Sequence, residues 1–176
     1  MPASLITFGH GTASREQLLD LLTGAGVAAV VDVRRFPGSR THPDLRREAL
    51  EEWLPADGIG YRWEERLGGR RTLPPGEPVV DDWWTVAQFA AYAAHTRTPE
   101  FAAALDEVLA EAARSTVAVM CSESVWWRCH RRLIADVAVL ARGVPVQHLM
   151  PDGRLTPHRP SEGAVTRGDE VYWPAP

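Results

Sequence analysis

Two cysteines separated by seven residues stand in one short segment of reactive chemistry, CSESVWWRCHRR, which covers residues 121–132. The segment holds Cys121, Glu123, Cys129 and His130. A cysteine acts as a nucleophile in its thiolate form, and a neighbouring imidazole or guanidinium group favours that form. The composition of the segment therefore predicts an active-site thiol.

Each residue of this segment has a predicted role. Cys129 acts as the thiolate nucleophile or redox centre, and Cys121 acts as its resolving partner. His130 positions or activates the thiol, and Glu123 transfers protons. Arg131 favours the thiolate and holds an anionic group of the substrate.

The same residues allow a metal-site interpretation. Cys121, Cys129 and His130, joined by His10 or His148, would supply the sulfur and imidazole ligands that suit zinc. However, zinc ribbons usually separate their paired cysteines by only about two to four residues. We therefore assign no metal ligand and leave the cofactor open, and a zinc-stabilised interaction domain without catalysis remains an alternative.

Core packing is the simplest explanation for part of the segment. Cysteine is among the most frequently buried residue types, and Cys121 directly follows an apolar run. For Cys121 alone we favour this structural role. For the run from Cys129 to Arg131, with a glutamate nearby, we favour function.

Strands and helices alternate along the chain. Short apolar, β-branched runs predict strands at residues 5–8, 28–33, 59–63, 116–120 and 144–148. Amphipathic runs predict a helix opened by a capping box at residues 14–17, and helices at 44–53, 85–96, 100–113 and 129–142. This order predicts an α/β domain over residues 1–150, in three layers, with a mostly parallel central sheet of about five strands and flanking helices. Residues 151–176, rich in proline, glycine and charge, predict an irregular C-terminal tail.

Polar residues follow the predicted strands at their carboxyl ends. In open parallel sheets, ligands bind in the crevice beyond those ends. Five segments would deliver side chains to this one edge, and the residues are His10, Arg34, Arg70, Cys121, Glu123 and His148. Among them, His10 is a second candidate for proton transfer.

Arginines near the second predicted strand suit an anionic ligand. Arg34 and Arg40 flank the turn at residues 36–39, and guanidinium groups bind phosphate or carboxylate through two parallel hydrogen bonds. Asp32 lies inside the strand, where it would orient Arg34 or Arg40. The predicted substrate-binding residues are Asp32, Arg34, Arg40, Arg70, Arg131 and His148.

Composition excludes several classes of protein. The net charge of −4 argues against a protein that coats nucleic acid through bulk electrostatics. No run of about 18 apolar residues predicts a membrane span, and the start of the chain does not match a signal peptide. Two cysteines are too few for a secreted disulfide framework. We therefore expect a cytoplasmic protein without a membrane partner, and the oligomeric state stays open.

The motifs, taken in order, resemble those of the family known as domain of unknown function 488. The resemblance runs from near the N-terminus to about residue 150. It rests on Gly9-His10, Asp32-Val33-Arg34, Pro37-Gly38-Ser39-Arg40, Leu67-Gly68-Gly69-Arg70, Cys121-x-Glu123, Cys129-His130-Arg131 and Val146-x-His148. The resemblance implies a soluble α/β protein of bacterial type, and it implies no particular reaction.

These observations predict an enzyme that uses a Cys-His-Arg site on an anionic substrate, such as a phosphate-bearing small molecule or a nucleotide. Hydrolysis, group transfer and redox chemistry all stay open. The main alternative is a nucleic-acid-binding or nucleic-acid-processing protein, in which the arginines contact phosphates and Trp126 or Trp127 stacks on a base.

Overall fold

Six strands form the central sheet of the protein. In the computed structural model, which describes residues 4–176, these strands are β1 (Leu5–Gly9), β2 (Ala29–Asp32), β3 (Gly60–Trp63), β4 (Val117–Cys121), β5 (Val146–Leu149) and β6 (Leu155–Pro157). Their order in the sheet is β3-β2-β4-β1-β5-β6. β1 to β5 are parallel, and β6 runs antiparallel beside β5. The predicted α/β class and mostly parallel sheet are confirmed.

Helices cover both faces of this sheet. Within residues 4–176 they are α1 (Arg15–Gly24), α2 (Arg47–Ala56), α3 (Ala87–His95), α4 (Pro99–Ala112) and α5 (Arg131–Arg142). Successive side chains of a strand point to opposite faces, so Ile6 and Phe8 pack with α1 and α2, while Leu5 packs with α3, α4 and α5. This gives the predicted three layers. No helix in the described range is long and apolar enough to cross a membrane.

Capping residues set several helix ends, including the predicted capping box at residues 14–17. Ser14 caps α1 in a capping box with Gln17, Thr98 accepts a hydrogen bond at the start of α4, and Gly143 ends α5 in the left-handed conformation. The helix predicted at residues 85–96, α3, begins two residues later than expected. That helix begins at Ala87, and the residue before its first turn makes no side-chain hydrogen bond there.

Two other helices begin later than predicted, because a 3-10 turn precedes each. A turn over Pro43–Leu45 comes before α2. A turn over Trp126–Arg128 comes before α5 and leaves Cys129 in an extended conformation. Cys129 is therefore outside the first turn of α5, where the sequence predicts it, and its amide donates to the carbonyl of Trp126.

The predicted irregular tail contains ordered structure. Besides β6, it forms a hairpin of β7 (Val165–Arg167) and β8 (Glu170–Tyr172). The side chain of Trp173 is fully buried, and its indole N–H donates to Asp136 on α5 at 2.9 Å. The prediction is wrong for these strands because each has only three residues, too few for periodicity to outweigh the proline and glycine around them.

Trp173→Ala should destabilise the fold strongly. The substitution removes the largest fully buried side chain of the C-terminal segment, and truncating a buried aromatic side chain costs about 3–5 kcal/mol. Urea denaturation followed by circular dichroism measures the change. Trp127→Ala is the matched control, because Trp127 is 47% exposed and exposed positions change stability by less than about 0.5 kcal/mol. Equal stability of the two variants would contradict the packing of this segment.

Candidate active site

A cavity of about 310 Å³ opens at the carboxyl ends of β1, β2 and β4. Seven of the predicted site residues line it: His10, Arg34, Arg70, Cys121, Glu123, Cys129 and His130. The sheet topology brings these side chains together from four separate loops. The other four predicted residues, Asp32, Arg40, Arg131 and His148, do not line this cavity.

The two cysteines meet at this cavity as a free thiol pair. Cys121 and Cys129 are 2% and 6% exposed, and their sulfur atoms lie 2.7 Å apart. The Sγ of Cys121 also lies 3.5 Å from the carbonyl oxygen of Glu123. One thiol hydrogen can therefore be shared between the two sulfur atoms.

His130 lies on the other side of Cys129. Its Nε2 is 2.8 Å from the carbonyl oxygen of Val33, and its Nδ1 is 3.5 Å from the Sγ of Cys129. Because a carbonyl oxygen can only accept, Nε2 carries a proton, which leaves Nδ1 free to accept the proton of the Cys129 thiol. This arrangement can activate a nucleophile.

The surroundings assign different protonation states to the two thiols. Burial raises the pKa of Cys129, but a hydrogen bond from Cys121 and the charges of His130 and Arg131 outweigh it and hold the pKa well below its usual value. Burial and the neighbouring Cys129 raise the pKa of Cys121 well above its usual value. The surroundings of the pair therefore favour a thiolate at Cys129 and a thiol at Cys121.

Two glycines make room for this geometry. A β-carbon on Gly69 would lie 2.9 Å from Nδ1 of His130, and one on Gly9 would lie 1.8 Å from the carbonyl oxygen of Glu123. Neither distance is compatible with normal packing. The glycines of two motifs are thus required so that His130 and the loop after β4 can approach their neighbours closely.

Arg34 is held by a buried ion pair. Its Nε and Nη2 donate to Asp32 at 2.9 and 2.6 Å, and its Nη1 donates to the carbonyl of Leu45 at 2.8 Å. Tyr61 also donates to Asp32 at 2.5 Å. Asp32 therefore orients Arg34, as predicted. These partners leave Arg34 few free N–H groups for a ligand, so its contacts suit positioning better than anion binding.

His10 accepts from this same arginine. Its Nδ1 lies 3.0 Å from the carbonyl of Gly11, so Nδ1 carries the proton, and its Nε2 lies 3.4 Å from Nη1 of Arg34. Burial, followed by repulsion from Arg34, lowers the pKa of His10, while the bond to Gly11 raises it less. His10 is therefore a neutral hydrogen-bond acceptor at the cavity wall at pH 7.

Two predicted residues contribute differently from the prediction. Arg40 is exposed, lies outside the cavity lining and makes no contact with Asp32 among the described hydrogen bonds. The carboxylate of Glu123 is exposed and accepts from the amide of Val125 at 3.0 Å. Its backbone carbonyl, rather than its carboxylate, approaches Cys121.

Arg131 and His148 lie buried behind the cavity. Arg131 donates through Nη2 to the carbonyl of Glu123 at 2.6 Å, and His148 stacks under Trp126 with ring centres 4.3 Å apart and planes 3° apart. Both side chains are almost inaccessible to solvent. The prediction that they contact substrate does not match this burial.

The cavity lining includes residues that are absent from the predicted set of site residues. Arg35, Phe36, Tyr92 and Arg128 all line the cavity. Arg35 and Arg128 are sequence neighbours of predicted site residues, and this position could have identified them. Tyr92 lies in an alanine-rich helix, where no neighbouring residue indicates a function. Arg70 adopts a φ of 55°, a conformation that non-glycine residues rarely adopt and that clusters at functional sites.

The geometry does not support the zinc interpretation. Within residues 4–176, no group of three or more histidine, cysteine or acidic side chains is arranged to hold a metal ion. The Nδ1 of His10 is engaged by a backbone carbonyl, and both ring nitrogens of His148 have other partners. Neither histidine joins the cysteines.

The sequence comparisons agree with the motifs. Residues 14–138 match the family described as Domain of unknown function DUF488. The chain belongs to this family. The DUF488 match includes both cysteines and His130 but ends before β5, so His148 and the C-terminal strands lie outside it. No curated protein and no solved structure matches the chain.

Gly69→Ala should lower the fraction of Cys129 that is ionised in this DUF488 protein. The added methyl group would displace the imidazole of His130, raise the pKa of Cys129 and slow its alkylation by iodoacetamide at pH 7 by up to about tenfold. Peptide mass spectrometry measures the rate. Gly38→Ala is the control, since a β-carbon at Gly38 meets nothing within 4 Å. A rate unchanged by Gly69→Ala would argue against the contact between Cys129 and His130.

Proposed function

We propose that this protein is an enzyme in which the Cys129 thiolate attacks an anionic substrate that carries a phosphate or similar group. One observation carries the proposal: the Sγ of Cys129 contacts both the Cys121 thiol and the free Nδ1 of His130 at a cavity wall. Perturbed titratable groups that converge in a cleft are typical of active sites.

The rim of the cavity supports the choice of an anion. Arg35, Arg70 and Arg128 line it, and within residues 4–176 none of these three forms an ion pair. Glu123 is the only acidic side chain among the residues lining this cavity. Unpaired guanidinium groups attract and orient phosphate or carboxylate groups. These three arginines, rather than Arg34 and Arg40, are our proposed anion contacts.

The chemistry follows from the contacts. The thiolate donates an electron pair to an electrophilic atom of the substrate, and the leaving group departs with the electrons of the broken bond. His130, once it holds the thiol proton at Nδ1, can return that proton to the leaving group. With a peroxide as the oxidising substrate, the Cys129 thiolate becomes a sulfenic acid, and the Cys121 thiol, whose sulfur lies 2.7 Å away, then forms a disulfide with it and releases water. The contacts serve hydrolysis, group transfer and redox chemistry alike.

Location and origin are part of the proposal. Two buried free thiols suit a reducing compartment, and we propose the cytoplasm of a bacterium, in line with the family resemblance.

The rate of iodoacetamide alkylation against pH, resolved by peptide mass spectrometry, tests the thiolate. We expect Cys129 to react with an apparent pKa well below the ordinary thiol value of about 8.5, and Cys121 to stay protected at neutral pH. Cys121→Ala should raise the apparent pKa of Cys129, because it removes the hydrogen bond from Cys121 that favours the thiolate. An ordinary pKa at Cys129 would refute the proposal.

The same assay tests the anion site. Inorganic phosphate should slow alkylation of Cys129, and the protection should fall at least severalfold in the double variant Arg70→Ala/Arg128→Ala. Arg40→Ala is the matched control, because Arg40 is an exposed arginine outside the cavity and should retain full protection. Equal protection in all variants would mean that phosphate does not bind at Arg70 and Arg128.

A polynucleotide substrate is the second candidate, favoured by aromatic groups near the arginines. Phe36, which lines the cavity, is 64% exposed, and Trp127, beside Arg128, is 47% exposed. Exposed aromatic rings can stack on bases. Trp126 is unavailable for stacking because it covers His148.

This candidate predicts that a short single-stranded oligonucleotide binds with an affinity that falls steeply with salt. Fluorescence anisotropy measures the binding, and Phe36→Ala or Trp127→Ala should weaken it severalfold. Trp53→Phe serves as the control, since Trp53 is buried in the opposite layer. Absence of binding at low salt would remove the candidate.

A further inference from the structure

A chain of buried hydrogen bonds leads from Arg131, beside the two sulfur atoms, to the C-terminal segment. Nη1 of Arg131 donates to Oγ1 of Thr7 at 3.1 Å, and that oxygen lies 2.5 Å from Nδ1 of His148. Nε2 of His148 lies 2.8 Å from Nδ1 of His158, and Nε2 of His158 lies 2.7 Å from Oδ1 of Asp136. We call these five residues the buried relay.

Burying the polar groups of the relay costs free energy of folding unless those groups are hydrogen-bonded. All five residues are buried, and the side chains of His158 and Asp136 have no exposed surface. A buried polar group without a hydrogen bond costs free energy of folding. The five groups come from β1, α5, β5 and the residue after β6, so they obtain their hydrogen bonds only when these elements pack together.

Each hydrogen bond of the relay has a fixed direction when its imidazoles are neutral. Asp136 accepts from the amide of Ser161, the indole of Trp173 and Nε2 of His158. Nδ1 of His158 then accepts from His148, whose own Nδ1 accepts from the Thr7 hydroxyl group. Burial, followed by repulsion from His158 and Arg131, lowers the pKa of His148 to about 2, which keeps it neutral.

The other end of the relay is the guanidinium group of Arg131, which has few hydrogen-bond partners. Arg131 forms no ion pair within residues 4–176, and Nη2 donates to the carbonyl of Glu123. Its Nε has no hydrogen-bond partner in that range. The oxygens of Thr7 and Glu123 are thus the acceptors that fix its orientation, and the relay connects it through two histidines to Asp136.

We propose that the four other members of the relay are positioning residues that hold the Arg131 guanidinium group beside the cysteine pair. The inference rests on the proposed function of Cys129 and deepens it. It gives the C-terminal segment, which lies outside the family match, a part in the site through His158.

Thr7→Val and Thr7→Ser form a matched pair that tests the relay. Valine keeps the shape of threonine but removes the oxygen that joins Arg131 to His148, whereas serine keeps the oxygen. The charged and titratable groups that face Cys129 are Cys121, His130, Arg131 and Tyr92, and only Arg131 loses a partner. We expect Thr7→Val to lower the alkylation rate of Cys129 at pH 6.5 by about three- to tenfold, and Thr7→Ser to stay within about twofold of the wild type.

A stability control separates positioning from a general loss of packing. Trp173→Phe removes one donor to Asp136 but leaves the relay connected, so it should lower the melting temperature without shifting the pH profile of Cys129. If Thr7→Val does not fold, His158→Gln, at a site remote from the cavity lining, takes its place, and a shifted profile supports the relay.

The outcomes distinguish the two proposals. If the pH profile of Cys129 is unshifted in Thr7→Val, or in His158→Gln where that variant is used, the relay is overturned. The thiolate proposal then still stands, provided that the pKa of Cys129 is low in the wild type. A shift in Trp173→Phe as large as that in Thr7→Val also overturns the relay. An ordinary pKa of Cys129 in the wild type overturns both.

Discussion

The buried positive charge of Arg131 is the constraint on which the rest of the site depends. A guanidinium group that is 1% exposed must find acceptors inside the protein, because an isolated buried charge is far too costly. One acceptor is the carbonyl of Glu123, which approaches only because Gly9 has no side chain. Another is Thr7, on the central strand β1. The position of the Arg131 charge beside the cysteine pair therefore depends on how the sheet and α5 pack together.

Burial and charge act in opposite directions on the two thiols. Burial alone would keep both sulfur atoms protonated. Cys121 donates a hydrogen bond to Cys129, and the neighbouring His130 and Arg131 favour the charged form of Cys129, so these surroundings concentrate the negative charge on that sulfur. Arg35, Arg70 and Arg128 line the cavity rim, where we propose that they bind an anion, although the chain as a whole has a net charge of −4. The position of these arginines, and not the net charge of the chain, therefore determines the local charge at the cavity rim.

Local patterns in the sequence predicted most of the fold and the centre of the site. The parallel strands follow from apolar runs, and Cys129 and His130 were recognisable because they adjoin. The start of α5 was missed, because a 3-10 turn in the tryptophan pair is encoded by packing and not by periodicity. Tyr92 lines the cavity, and His158 contacts His148, only through tertiary contacts, and neither segment carries a sequence pattern that places these residues there.

The order of contacts along the chain has a consequence for biosynthesis. The first strand of the sheet supplies Thr7, yet its partners in the buried network come from residues 148 and 158, and Asp136 is completed by Trp173. Chains grow from the amino end, and early segments wait for late ones when their contacts are distant in sequence. Both cysteines thus leave the ribosome well before the groups that organise the arginine beside them. During that interval the buried relay is incomplete, and under our proposal the thiolate of Cys129 forms only after residue 158 has joined the fold.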